Sequence, residues 1–180
     1  MISIETFKDE LTAILVGIDE KIDTIKSQLY NNKKPIDQFI KGISNIPGVY
    51  AFFIKPKSPS FKTEFEDIWL NNEIKKYPKV VKSRFNNTQE ISDGFYTFYL
   101  GKSEKVDSRV HEHIFHGPEK TTFSLKLNAR KNFLIQYELY YSKFEFPELA
   151  AVPDKAITQF IITRIESQLR NKMNPWVGKQ

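Results

Sequence analysis

Apolar side chains recur at steps of three and four along the N-terminal stretch, at Phe7, Leu11, Ile14, Ile18, Ile22, Ile25 and Leu29. This spacing predicts one long amphipathic helix over residues 4–29, ended by Asn31-Asn32-Lys33-Lys34-Pro35. Such a stripe either packs on the rest of the chain or, being close to a heptad, forms the seam of a homodimer. A short helical piece is expected at 36–43, and Asn45-Ile46-Pro47-Gly48 reads as a turn. The period then changes. Residues 49–54 (VYAFFI) and 95–100 (FYTFYL) are rich in β-branched and aromatic residues and have strand length, with side chains alternating across the second. A third strand is expected at 133–141, where Phe133, Ile135, Tyr137, Leu139 and Tyr141 alternate with polar positions.

Between the first two strands, Pro56 and Pro59 break the pattern, and Phe65, Ile68, Trp69, Leu70 and Ile74 among many charges predict a helical insertion at 55–94. After Gly101 a helix is expected from Ser103 as N-cap, with Val106, Val110 and Ile114 inward, ended by Gly117-Pro118. Pro153 and Asp154 open a last helix with an apolar stripe of Ile157, Phe160, Ile161, Ile165 and Leu169, which stops before Asn174-Pro175. The expected fold class is α+β: a small three-stranded antiparallel sheet flanked by helices. Its N-terminal helix takes residues 1–34, and the domain with its insertion takes 35–180.

Composition narrows the function classes. With 40% hydrophobic and 27% charged residues over 180 positions, the chain suits one globular domain with its own core. No apolar run approaches the roughly 18 residues that span a bilayer, and the acidic, amphipathic start lacks a signal peptide's basic and apolar regions. A cytoplasmic protein without membrane association is expected. The absence of cysteine excludes disulfides, thiolate nucleophiles and Cys-ligated metals, so any metal is held by oxygen or imidazole. A net charge of +5 permits a polyanionic partner without requiring one.

Arg109 and His113 lie four apart on one helical face beside the stripe of Val106, Val110 and Ile114. A guanidinium there can fork onto a phosphate oxygen; its plainer role is a surface ion pair with Glu104 or Glu112. His113 can relay a proton, bind phosphate or be inert. Glu166 lies at the margin of the last helix's buried stripe, where a carboxylate can face a cleft and hold Mg²⁺ or Mn²⁺ while waters and a phosphate complete the octahedron. Taken alone it reads as a solvated helix charge. His111, His113 and His116 do not share one helical face and make a poor zinc site. Lys75, Lys76, Lys79, Lys82 and Arg84, interleaved with Tyr77 and Phe85, read as a solvated face or as a track for a nucleic-acid backbone.

The order Gly48-Val49-Tyr50, Tyr99-Leu100-Gly101, Arg109 with His113, and Glu166 resembles the GIY-YIG nuclease superfamily, whose two strand motifs this chain would write GVY and YLG. The stretch YLGKSEKVDSRVHEHI carries the resemblance most specifically, and the whole resemblance covers residues 46–178. It implies a metal-dependent endonuclease that hydrolyses DNA phosphodiesters, RNA remaining open, with restriction or phage defence as one setting and homing or repair as others. It further implies that Tyr50 and Tyr99 line the site beside Arg109, His113 and a metal-holding Glu166. One phenol, Tyr50 first, would take the proton of the attacking water, with Lys102 as the neighbouring cation that lowers its pKa. Two departures stand out. The long stretch 55–94 separates the tyrosine motifs, and the family's asparagine beyond the final proline is missing from Pro175-Trp176-Val177-Gly178-Lys179. Asn174, Lys179 or Gln180 are the available substitutes. A catalytically weak nucleic-acid-binding module, or an interaction domain dimerising through the N-terminal helix, are the alternative functions.

Overall fold

The structure, a computed structural model, describes residues 4–43 and 45–178. Helix α1 (Ile4–Asn31) leads into a two-residue strand β1 (Lys34–Pro35) and a single 3-10 turn at Ile36–Gln38. Then come β2 (Gly48–Pro56), α2 (Phe61–Trp69), β3 (Lys79–Val80), α3 (Lys82–Asn86), β4 (Tyr96–Ser103) and α4 (Val106–Phe115). The chain closes with α5 (Lys131–Gln136), β5 (Tyr137–Glu145), α6 (Pro147–Ala150), α7 (Lys155–Met173) and β6 (Val177–Gly178).

The fold is α+β, and its main sheet is antiparallel in the order β1-β5-β2-β4. It has four strands where the sequence pattern predicts three. The fourth is β1, which pairs Lys34 and Pro35 with Tyr141 and Tyr140; two residues are too few to show a period. A second small sheet joins β3 to β6. The third core strand begins at Tyr137, because Phe133 and Ile135 belong to the helical turn of α5. Alternation alone does not separate a strand from one helical turn that leads into it. The helix expected from Ser103 starts at Val106, while the Ser103 Oγ accepts from the Lys105 N–H at 2.9 Å in the turn before it.

Each face of the sheet has its own core. Val49, Ala51, Phe53 and Leu100 meet Ile22, Ile25 and Leu29 of α1 and Ile162, Ile165, Leu169 and Met173 of α7. On the other face Tyr50, Phe52, Ile54, Phe98 and Tyr99 meet α4, α5, the segment between β2 and β4 through Phe65, Trp69 and Phe85, and Trp176 just after α7. The C-terminal half of α1 is therefore core, while Ile4, Ile14 and Val16 upstream are exposed; the Phe7 side chain lies outside the described ones. On α7, Ile157 and Phe160 of the expected stripe face solvent, and Thr158 and Ile162 take the inward positions. Asp154 caps α7 by accepting from the Ala156 N–H at 2.8 Å.

One irregularity positions the site. In β4 the register steps from Phe52↔Tyr99 to Phe53↔Thr97, so Phe98 is an extra residue in a β-bulge. Tyr99 pairs in register with Phe52 and so shares the face of Tyr50, and counted back from there strict alternation would set Phe98 on Leu100's face. The bulge instead keeps Phe98 beside Tyr99 on the face of Tyr50.

Candidate active site

Tyr50 lies in the central strand with its ring over Gly101, its partner in register on β4. A Cβ on Gly101 would come within 2.4 Å of the Tyr50 Oη, and one on Gly48 within 2.2 Å of the Phe144 carbonyl. Glycine at both motif positions thus follows from lack of room rather than from backbone torsion. The Tyr50 and Tyr99 rings are 6.3 Å apart, and the His113 ring is 5.4 Å from the first and 4.8 Å from the second.

His113 comes from α4, which is fixed to the sheet at its start. There the buried Asp107 pairs with Lys143 of β5, and the Val106 N–H donates to the Ile46 carbonyl at 3.1 Å. The imidazole is fully buried. Its Nδ1 accepts from the Leu125 N–H at 3.0 Å, and its Nε2 is 2.9 Å from the Tyr50 Oη. A backbone N–H can only donate, so the proton of the neutral ring is on Nε2 and the Tyr50 oxygen accepts it. The phenol's own hydrogen is then directed away from His113. Burial, followed by the charge of Arg109, holds the His113 pKa well below its ordinary value, which keeps the ring neutral.

Burial also pushes the Tyr50 phenol well above its ordinary pKa, the Tyr99 phenol adds to this, and the Arg109 charge opposes it. Tyr99 is raised chiefly by burial, with Arg109 and Arg170 opposing and Glu166 assisting. The cation that acts on Tyr50 is therefore Arg109 and not the expected Lys102, whose ammonium is held by the Gln159 Oε1 at 2.7 Å. The reason lies in the strand: Lys102 shares its face with Leu100, opposite to Tyr50 and Gly101.

Arg109 bonds Glu112, as its plainer sequence reading allows, and also the Phe123 carbonyl. Together with Lys102, Ser108, Glu112 and Gln159 it lines a cleft of about 420 Å³ that the buried phenols do not line. Glu166, half-buried on α7, pairs through Oε1 with Arg170 one turn further on. Its charge reaches Tyr50, Tyr99 and Arg84. Tyr50, Tyr99 and His113 thus lie together, and the charges of Arg109 on α4 and Glu166 on α7 both act on the two phenols. Lys102 faces the cleft beside them.

A divalent ion fits the donor chemistry in one way. Among the described residues no three His, Asp or Glu side chains gather as a metal cage. A site based on Glu166 is then a single hard carboxylate with one oxygen engaged by Arg170, which suits Mg²⁺ or Mn²⁺ that keep several waters and take phosphate oxygens. His111 turns to Phe39 and Phe115, away from His113.

The basic residues of the insertion are spread over several tasks. Lys75 and Lys76 offer their backbone carbonyls to the Lys126 ammonium, Lys79 lies 3.8 Å over the Tyr77 ring, and Lys82 pairs with Glu66 at 3.5 Å. Arg84 donates to the Pro175 carbonyl at 3.5 Å. Lys179 and Gln180 lie outside the described residues. Asn174 does not take the missing asparagine's place in the site: at φ 52° it caps α7, and its Nδ2 donates to the Arg84 and Asn87 carbonyls at 3.2 Å. Sequence inspection missed Arg170, although its i,i+4 spacing to Glu166 is legible, and missed the Leu125 N–H, which no pattern reveals. Comparison with protein-family models, curated proteins and solved structures finds no match to this chain.

Proposed function

We propose that this chain is a metal-dependent endonuclease that hydrolyses DNA phosphodiester bonds. The observation that carries the reading is the packing of Tyr50, Tyr99 and His113 on one face of β2 and β4, with the charges of Arg109 and Glu166 acting on both phenols, in the motif order of the GIY-YIG resemblance. Hydrolysis forms a bond from a water oxygen to phosphorus and breaks the opposite P–O bond, and negative charge grows on the phosphoryl oxygens meanwhile. Arg109 stays charged and supplies donors where that charge appears. Tyr50, oriented by His113 and buried, acts through Tyr99 and Arg109, with which its phenol interacts, rather than by touching the substrate. It is a neutral phenol in the neutral range, so its part is orientation, and the water's proton leaves to solvent or phosphate rather than to a phenolate. When bound at Glu166, Mg²⁺ or Mn²⁺ would supply Lewis-acid stabilisation of the phosphate and the leaving oxygen. Restriction or phage defence is the setting we favour.

Supercoiled plasmid incubated with the protein and Mg²⁺ or Mn²⁺ tests the reading. Nicked or linear product is expected, falling by at least about a hundredfold in Glu166→Ala and in Arg109→Ala, in line with loss of a main electrostatic stabiliser. Cleavage unchanged in Glu166→Ala would overturn the site. Salt-sensitive DNA binding without cleavage under any divalent metal would favour the non-catalytic binding module, for which the capping role of Asn174 speaks.

A further inference from the structure

The segment between β2 and β4 is not a detached insertion, because its short helix α3 is fastened to the end of α7. Phe85 of α3 is buried with its ring 5.0 Å from both Phe65 and Trp176. The Asn174 side chain bonds the Arg84 and Asn87 carbonyls, and the Arg84 guanidinium reaches the Pro175 carbonyl at 3.5 Å. Asn174 itself donates its backbone N–H to Arg170 at 3.1 Å. Arg84 and Arg170, distant in sequence, are thereby delivered to the same end of α7, on which Glu166 lies one turn back.

The Glu166 carboxylate pairs with Arg170, and its charge is also felt at Arg84. Burial, then the charge of Arg170, lowers the pKa of Arg84, and Glu166 offsets this only in part. Arg170 and Arg109 both act on Tyr99. Holding like charges together costs free energy that a bound polyanion relieves. A nucleic-acid strand presents a regular row of phosphates, so a site that engages one phosphate has another near it.

Resting on the nuclease reading, we propose that Arg84 and Arg170 form a second phosphate anchor, which grips a phosphate neighbouring the scissile one on the same strand. The 55–94 segment is then a substrate-positioning element that supplies Arg84. Arg170 has a double task, because it also pairs directly with Glu166, whereas Arg84 reaches the Pro175 carbonyl and is the cleaner probe.

The test uses the full chain with Arg84→Gln and Arg84→Lys. Fluorescence anisotropy with a labelled mixed-sequence DNA duplex in Ca²⁺ gives Kd over a range of NaCl, and plasmid cleavage in Mg²⁺ gives KM and kcat. For Arg84→Gln we expect Kd and KM to rise about tenfold, kcat to stay within about threefold, and the slope of log K against log salt to fall by about 1. Arg84→Lys should keep the slope while recovering only part of the affinity, since a lysine cannot fork. A merely structural Arg84 would lower the Tm without changing the slope, and that result overturns the anchor. So does a fall in kcat at unchanged Kd. Wild-type protein that binds but does not cut leaves the anchor standing on the Kd and slope while the nuclease reading fails. Wild-type protein that does not bind DNA ends both.

Discussion

At the residue scale, the bond from Leu125 to His113 to Tyr50 is a chain with one direction. The backbone amide forces Nδ1 to accept, which forces Nε2 to donate, which turns the phenol's hydrogen away from the imidazole. Two substitutions separate its links. An asparagine can keep the acceptor near Nδ1 but cannot reach Tyr50, whereas a glutamine can offer an N–H near Nε2. Cleavage by His113→Gln is therefore expected to exceed that by His113→Asn by about tenfold or more, the scale of one lost orienting hydrogen bond. Equal rates would remove the orienting role. His113 also sets a pH dependence. Its folded pKa is well below the ordinary 6.5, so between the two values the unfolded chain binds a proton that the folded one does not. The stability is full above about pH 6.5 and is lost as pH falls below it, by up to about 1.4 kcal/mol per pH unit. His111, lowered by burial and then by the Lys41 charge, adds in the same direction. Urea midpoints between pH 7 and 5 should decline less steeply in His113→Asn than in the parent.

At the element scale, β4 decides whether there is a site at all. Its sequence alternates as FYTFYL, yet the bulge at Phe98 breaks that alternation and sets Phe98 on the same face as Tyr99, which pairs in register with Phe52 beside Tyr50. Had the strand been regular back from Tyr99, Phe98 would share the face of Leu100, toward α1 and α7, and leave the aromatic cluster beside Tyr50. The neighbouring Gly101 is the second requirement, since its missing side chain is where the Tyr50 phenol lies. Gly101→Ala is expected to push that ring out of place, costing about 1–3 kcal/mol of stability and most of the cleavage activity. Chemical denaturation and plasmid nicking measure the two effects, and an alanine variant with unaltered nicking would show that Tyr50's position is not critical.

At the scale of the whole molecule, α1 and the C-terminus are parts of the cores rather than appendages. Ile22, Ile25 and Leu29 are at most 2% exposed, and Asp19 and Asp23 pair with Arg164 and Lys172 of α7. Burial of three such side chains contributes roughly 1.5–3 kcal/mol each as an upper estimate, comparable with the roughly 5–15 kcal/mol that holds a domain folded. Deleting residues 1–34 is expected to abolish the cooperative thermal transition seen by circular dichroism. Deleting residues 1–10 should shift it little. The heptad-like stripe once available for a dimer seam is thus spent, over its second half, on α7 and the sheet. At the other end Trp176 is fully buried among Phe61, Phe65, Phe85 and Tyr96, with its Nε1 donating to the Thr88 Oγ1 at 2.5 Å. Trp176→Ala should cost about 3–5 kcal/mol in a urea titration.

The sequence by itself determined the helices α1, α4 and α7 and the strands β2 and β4, because long periodic runs commit the backbone locally, whatever packs on them. It also placed Arg109 and His113 on one helical face, since that follows from 3.6 residues per turn. The β-bulge at Phe98, the role of Arg109 rather than Lys102 beside Tyr50, the hold of Leu125 on His113 and the meeting of Arg84 with Arg170 were decided by tertiary structure alone. Each depends on which strand face a residue takes or on contacts between segments far apart in the chain. Local periodicity carries no record of such contacts, because they are fixed only when the sheet pairs and the two cores close on its faces.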